Sequence, residues 1–395
     1  MAVTRMRMDS TEVNAAVFVR GLLGKVLDDL QAEVDGPSKN DRIKQSIQNI
    51  SQMYKQGLSR ASTNFRSDWN DPSNRCAYVF LYLLQHCHLV YHSIHKSDIS
   101  KMLSKKKRLK VCCIGGGPGS DVIGLTSFLR ENSSLQQSLD CLVLDLYPTW
   151  RDTWHLIRRH MPDGLNLSVT YQGCDLVQDS SVGGNVLGFI QQADMLTFVK
   201  SFSTVSAFFR ADSRRGDLLR SILQEIKPDC FVLFIDNKHL RDKEFQQQFA
   251  SRAGLKLVFE YRGTQTLPNV GPYTTTIKKY SRLLDFKPLR TCDVLIQVFC
   301  KESVGAVSRE SQPVSRDSPL PSSSTTTTTS SARRRPAPPP APSVVRQAAP
   351  QRCQYLLQNF FAYERREPEI SEPVQPARQG LSSASAGMLL ESVFF

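Results

Sequence analysis

The sequence predicts an α/β chain: a doubly wound, mostly parallel sheet of seven strands, preceded by a helical region and followed by a disordered tail. Three observations predict it. Between residues 109 and 301, seven short apolar runs recur, several of them separated by amphipathic stretches, as buried parallel strands covered on both faces require. A glycine-rich turn, Gly115-Gly116-Gly117-Pro118-Gly119, follows the first run directly. Residues 303–352 hold a serine-, threonine-, proline- and arginine-rich tract too poor in apolar side chains to offset the entropy of ordering.

Residues 1–105 read as helical. Val13, Val17, Leu22, Val26 and Leu30 lie near helical spacing, and a second helix is expected from Asn40 to Leu58 after Ser38 as a cap. Asp71 before Pro72 opens a third, since an aspartate caps well and proline suits the first helical position. It should run to about Ile94, and its apolar residues all round predict burial. His86, Cys87, His88, His92 and His95 cluster on this helix, with His88 and His92 on one face. Structural zinc needs four ligands and the sequence places no others here, so packing is the expected role and no metal is expected.

Residues 106–302 form the second region. The apolar runs are 109–115, 140–146, 167–175, 193–201, 229–237, 254–263 and 293–301. Helix-like stretches follow the first, second and fourth. None is evident between the last two runs, which are expected to pair antiparallel at the sheet edge. Lys105, Lys106, Lys107 and Arg108 precede the first run; they suit a nuclear import signal, a phosphate contact or a solvated helix end.

The turn from Val111 to Asp121 carries chemistry. Glycine adopts backbone angles closed to other residues and lets a ligand approach the main chain, and the next helix offers unpaired N–H groups at its start. Asp145 ends the second run, where an acid accepts hydrogen bonds from ribose hydroxyls. Together they indicate a nucleoside-containing ligand. The dinucleotide fingerprint G-x-G-x-x-G/A fails, because Ser120 or Val122 occupies its last place.

On these residues the chain resembles the class I S-adenosylmethionine-dependent methyltransferases. Gly115, Gly117 and Gly119 match the first motif, Asp145 the second, and Asp175 the acid after the third strand that faces the adenine amino group. The resemblance covers about residues 108–302. It implies a strand order of 3-2-1-4-5-7-6 with the seventh strand antiparallel, S-adenosyl-L-methionine as cofactor, and a cofactor site of Gly115, Gly116, Gly117, Gly119, Asp121, Asp145, Leu146, Asp175 and Leu176. The family usually has an acid two residues before the first glycine; here Cys113 stands there. Asp121 either substitutes for it or serves as a first-turn acid favoured by the helix dipole. Trp150 and Trp154 either wall the adenine pocket or fill the core.

The acceptor end is less explicit. The fourth run ends Phe198-Val199-Lys200-Ser201-Phe202, without the N-P-P-Y or Pro-Cys patterns of base methylation. Lys200, Asp236 and His239 are the candidate catalytic residues, with strand or helix capping as the alternative for the last two.

Composition sets the remaining bounds. Apolar residues make up 40% and charged residues 22%, an ordinary globular balance. No membrane-spanning run and no secretory leader are expected. None of the ten cysteines makes a C-x-x-C pair, which suits a reducing nuclear or cytoplasmic compartment. Ten arginines and seven acids follow residue 302, so +10 of the net +13 belongs to residues 1–302, a balance that permits a nucleic-acid partner.

In the tail, residues 303–395, Gln354-Tyr355-Leu356-Leu357-Gln358-Asn359-Phe360-Phe361 reads Q-x-x-L-x-x-F-F. It resembles the PIP-box by which proteins dock on the replication sliding clamp, proliferating cell nuclear antigen (PCNA). One helical turn would set Leu357, Phe360 and Phe361 on one side as a plug, with Gln354 in a polar pocket. The sequence therefore predicts a methyltransferase acting on nucleic acid or a chromatin-associated protein. The alternatives are an inactive adaptor or cofactor sensor of the same fold, and a small-molecule methyltransferase whose tail motif is accidental.

Overall fold

The structure is a computed structural model that describes residues 10–55, 68–132, 137–162, 166–238, 243–267 and 271–302. His239 and the whole tail, with Gln354, Leu357, Phe360 and Phe361, lie outside the described residues.

The N-terminal helices form where apolar spacing predicts them. α1 spans Ser10–Glu33 and α2 Lys39–Lys55. Leu22, Val26 and Leu30 of α1 and Ile43, Ile47 and Ile50 of α2 are buried at helical spacing. α3, Pro72–Tyr78, starts as expected: the Asp71 carboxylate accepts the Ser73 N–H at 2.8 Å, with Pro72 in the first position. The buried Arg75 guanidinium donates to the carbonyls of Trp69 and Asn70, at 3.0 and 2.8 Å, which ties down the chain entering α3. The expected single helix to Ile94 is interrupted by a π-helical turn, Val79–Leu83, before α4, Leu84–Lys96. α5, Ile99–Leu103, leads into the sheet.

The sheet elements are β1 (Arg108–Ile114), α6 (Ser120–Asn132), β2 (Ser138–Asp145), α7 (Trp150–His160), β3 (Asn166–Gly173), α8 (Gly184–Gln192), β4 (Met195–Val199), α9 (Phe202–Ala211), α10 (Asp217–Glu225), β5 (Phe231–Asn237), β6 (Leu255–Thr266), α11 (Gly271–Leu284) and β7 (Thr291–Lys301). Their order is β3-β2-β1-β4-β5-β7-β6. β1 is parallel to β2 and β4, and β7 is antiparallel to both β5 and β6. This is the seven-stranded order that the resemblance implies. The order reverses between β1 and β4, and ligands of open α/β sheets bind beyond the strand ends at such a reversal.

Alternate residues of β1 face opposite layers, as strand pleating demands. Val111 and Cys113 join a core with Leu23, Leu83, Val122, Trp154 and Tyr280; Cys112 and Ile114 join a second with Ile190, Phe202, Leu219 and Phe249. The N-terminal helices thus share one hydrophobic core with the sheet.

The absence of a helix between the last two strands is corrected. α11 lies there, and its periodic residues are few: Ile277, Tyr280 and Leu284. Its threonines favour helix weakly. Tertiary contacts supply what propensity lacks. Tyr280 is fully buried and its hydroxyl donates to Asp28 of α1 at 2.5 Å, while Lys279 pairs with the same carboxylate. The helix-like stretch expected after the fourth run is two helices, α9 and α10, with Ser213–Gly216 as a 3₁₀ turn between them.

The basic run sits at the amino end of β1. Lys106 pairs with Asp194 at 2.6 Å and Arg108 with Asp140 at 2.6 Å. β1 is seven residues long, which at about 3.3 Å per residue separates these cations from the glycine turn by about 20 Å.

Gly124 marks the tightest helix contact. A Cβ there would lie 2.7 Å from the Cys87 carbonyl oxygen and 2.7 Å from Val90 Cβ, both on α4. Gly124→Val should therefore force α6 from α4 and lower stability by about 1–3 kcal/mol, read from the denaturant midpoint. An unchanged midpoint would refute that tight packing.

Candidate functional site

The site is built on the chain leaving β1. The Gly115 N–H donates to the Leu144 carbonyl at 2.7 Å, holding the turn against the end of β2. Gly115, Gly117 and Gly119 all have positive φ: 65°, 48° and 88°. Two of them also lack room for a side chain. A Cβ on Gly115 would lie 2.5 Å from Ser201 Cβ, and one on Gly119 would lie 2.8 Å from Trp154 Cε3. Gly117 differs, with nothing within 4 Å of its Cβ position. Gly117 is buried, yet the space at its Cβ position is empty, which leaves room for a ligand to approach the backbone. Gly116 packs inward, toward Cys113 and Val143.

Asp145 ends β2 beside this turn. One carboxylate oxygen accepts the Gly117 N–H at 2.9 Å and the other accepts the Tyr147 N–H at 3.0 Å. Burial raises its pKa to about 6, against these two hydrogen bonds. The turn and the acid are thus bonded to one another, and each carboxylate oxygen keeps a further lone pair for a hydroxyl. Leu146 follows with 40% exposure, an apolar surface beside the acid.

Asp175 lies past the end of β3. Its carboxylate accepts the Val177 and Gln178 N–H groups, at 2.9 and 3.2 Å, so it also shapes the following turn. Leu176 is half-buried against the second core.

Asp121 is 2% exposed in the first turn of α6, and it accepts a hydrogen bond from the Thr197 hydroxyl of β4. Cys113, in the place where the family has an acid, is the cross-strand neighbour of Thr197. The neighbouring Cys141 and burial keep its thiol protonated, with a pKa well above the usual thiol range. The acid two residues before the glycines is therefore replaced by a thiol, and Asp121 reaches the same strand through Thr197. Burial, augmented by the Asp145 charge, raises the Asp121 pKa to about 7, although Thr197 bonding opposes it.

Both tryptophans of α7 are buried in the core, and Trp154 also closes the back of the turn at Gly119. The Tyr171 hydroxyl, buried and without a hydrogen-bond partner, lies 3.1 Å from the Cβ position of Gly119. The space beside Gly117, the carboxylates of Asp121, Asp145 and Asp175 and the Tyr171 hydroxyl, unsatisfied among the described residues, fit a nucleoside-bearing cofactor with a polar amino-acid arm.

At the acceptor end, Lys200 closes β4 in a left-handed conformation, φ 57°, which is costly for a side-chain-bearing residue. Its ammonium donates to the Asn237 side-chain carbonyl. Burial lowers its pKa, against the charges of Cys292, Asp236 and Asp293. Asp236 is committed differently. Its carboxylate accepts the Ser203 N–H at 2.9 Å, the Ser203 hydroxyl at 2.6 Å and the Asn237 N–H at 2.7 Å. It holds the start of α9, the capping alternative raised by its sequence position.

Sequence reasoning missed Thr197, Tyr171 and Ser201. Thr197 carried a signal, as the one hydroxyl inside the fully buried Met195–Val199 strand. Tyr171 carried none. On α4, the His88 and His92 rings lie 5.9 Å apart, and His92 contacts the Gln265 amide at 3.2 Å. Among the described residues no group of three histidine, cysteine or acidic side chains is placed to hold a metal, and no helix is long and apolar enough to cross a membrane.

No family model matches the chain, nor does any curated protein. Several solved structures are similar to it in fold. A putative RNA methyltransferase from Pyrococcus horikoshii is 12% identical, over 75% of this chain and 100% of that one, with TM-score 0.34. A precorrin-6y C5,15-methyltransferase from Geobacter metallireducens is 10% identical, over 52% and 86%, with TM-score 0.31. A magnesium protoporphyrin IX methyltransferase from Synechocystis, with S-adenosylmethionine bound, is 9% identical, over 65% and 97%, with TM-score 0.31. At these scores the likenesses bear on neither ligand nor acceptor, and the fold rests on the sheet order itself.

The raised Asp121 pKa has a direct consequence for stability. The folded protein keeps a proton that the unfolded chain, near 3.8, has already released. Stability is therefore lost as pH rises from about 4 to about 7. Asp121→Asn should unfold at higher denaturant than wild type at pH 8, with the gap closing below about pH 4. A gap independent of pH would contradict burial as the cause.

Proposed function

We propose that the chain is an S-adenosyl-L-methionine-dependent methyltransferase. The observation that carries this reading is the bond between the Gly117 N–H and the Asp145 carboxylate at the reversal of strand order. It joins the glycine turn and the ribose-type acid into one cradle. When bound, the cofactor supplies a methyl group already activated on a sulfonium centre. The residues that would hold it are Gly115, Gly116, Gly117, Gly119 and Asp145 with Leu146, then Asp175 with Leu176. Asp121 takes the role of the family acid, placed through Thr197 to receive an ammonium group.

The chain's own contribution beyond binding is alignment and proton handling. Lys200, whose pKa burial lowers, is the candidate proton acceptor at the end of β4. Asp236 instead orients α9 and keeps the Lys200 surroundings in place. The acceptor is read as nucleic acid or a chromatin-associated protein, on the basic balance of residues 1–302 and on the tail. The tail reading is that Gln354, Leu357, Phe360 and Phe361 dock on the sliding clamp PCNA, which entails a nuclear location with the cytoplasm as a second compartment.

A second reading, a cofactor-binding adaptor without turnover, is favoured by one observation: the Asp236 carboxylate is already committed to α9. Titration calorimetry separates the possibilities. The full chain should bind S-adenosylmethionine at micromolar concentrations, and Asp145→Ala should abolish that binding. No heat with wild type would sink the methyltransferase reading. For the tail, the double variant Phe360→Ala, Phe361→Ala should weaken binding to the purified clamp by at least about tenfold; a wild-type chain that ignores the clamp would refute the docking.

A further inference from the structure

β3 is the last strand at one side of the sheet, and among the described residues it pairs with β2 alone. Successive peptide groups of a strand point to opposite sides. Just past β3, the Cys174 N–H donates to the Asp145 carbonyl of β2 at 2.9 Å, whereas the Tyr171 carbonyl accepts the Arg151 guanidinium at 3.2 Å. The alternation therefore turns the backbone groups of Leu167, Val169 and Tyr171 to the open edge, and leaves those of Ser168, Thr170 and Gln172 for the ladder with β2. Leu167 and Val169 pack against the core that α7 shares, and Tyr171 is buried in it, so all three side chains lie on the α7 face.

A cleft of about 440 Å³ lies between α7 and this strand, a size that takes ligands and side chains. Leu167, Val169 and Tyr171 line it from β3, and Arg151, His155 and Arg158 from α7; no acidic side chain does. The three basic residues recur at helical spacing and so share one face. From Arg151 to Arg158 α7 rises about 10 Å, and from Leu167 to Tyr171 β3 extends about 13 Å. The basic stripe thus matches the open edge in length, and the Arg151 bond to Tyr171 fixes their alignment. The side chains of His155 and Arg158 have no partner among the described residues, although the neighbouring Arg159 and His160 both pair with Asp29.

The edge and the charges together narrow what this cleft accepts. An open strand edge offers a row of donors and acceptors to another extended chain. A small anion would meet the guanidiniums and leave that row bare. A nucleic-acid backbone brings acceptors without a matching row of N–H donors. A second copy paired edge to edge about a two-fold axis would set one basic stripe beside the other, and like charges so placed repel. We infer that the open edge of β3 receives an extended acidic segment of a partner protein as an added strand, its carboxylates at alternate positions against Arg151, His155 and Arg158. Alternate side chains of a strand share one face about 7 Å apart, so successive carboxylates follow the stripe. Main-chain bonds supply the affinity and the basic cleft the selectivity. This site lies beyond the cofactor reading, and its use needs no S-adenosylmethionine.

The test titrates the full chain into a short labelled peptide of alternating Glu and Thr, capped at both ends and read by fluorescence anisotropy. This peptide should bind, and its counterpart of alternating Lys and Thr should not. The Glu–Thr peptide N-methylated at every residue keeps the charge and loses the donors, so it should not bind either. Arg158→Glu sets like charge against the peptide and should weaken binding about tenfold, whereas Arg158→Lys should largely preserve it. Val169→Pro removes an edge N–H without touching the ladder to β2, and should abolish binding at an unchanged denaturant midpoint. If that variant unfolds, the N-methylated peptide still decides whether main-chain bonds are used. Three results overturn the inference: a wild-type chain indifferent to the Glu–Thr peptide, equal binding of the N-methylated form, which would reduce the cleft to a plain anion site, or an Arg158→Glu chain that binds like wild type. Dimers in sedimentation that the peptide fails to dissociate would give the edge to a second copy, and also overturn it.

Discussion

The turn after β1 has no room for a side chain at Gly115 or Gly119, and the arrangement of the site depends on that constraint. β1 is buried between β2 and β4, so the chain must leave it within a few residues. Ser201 crowds one side at Gly115, and Trp154 the other at Gly119. Any side chain at either position would displace β4's connection to α9 or lift α7 from the sheet. The turn can only close with three left-handed glycines, and closing it leaves the Gly117 N–H pointing at Asp145. A packing requirement thus produces a polar cradle.

The polar groups around this cradle are held at some expense to stability. Asp121 and Asp145 are both buried enough to have raised pKa values, and the charge of Asp145 raises that of Asp121 further. Buried carboxylates of like charge resist ionising together. Thr197, Gly117 and Tyr147 donate hydrogen bonds that partly offset this, without removing it. Unfavourable groups retained near a strand-order reversal are what a ligand-binding site requires, because a cationic or hydroxyl-bearing ligand relieves them.

The N-terminal helices are part of the same construction. They complete the hydrophobic core on one face of the sheet, and α4 fits against α6 only because Gly124 lacks a side chain. The tertiary link through Asp28, Lys279 and Tyr280 also fastens α1 to α11.

The sequence by itself determined the strands, the glycine turn, Asp145 and the capped start of α3. Each is a local pattern: a short apolar run, backbone angles that only glycine reaches easily, or an Asp-Pro pair at a helix start. The sheet order was legible only through the resemblance carried by those motifs. Tertiary structure alone decided what needs distant partners. α11 has weak propensity and forms because Tyr280 is buried against α1. The Asp121 carboxylate is tied to β4, because Thr197 from another strand reaches it. Asp236 is taken up by Ser203, a partnership that only the β5–α9 contact creates.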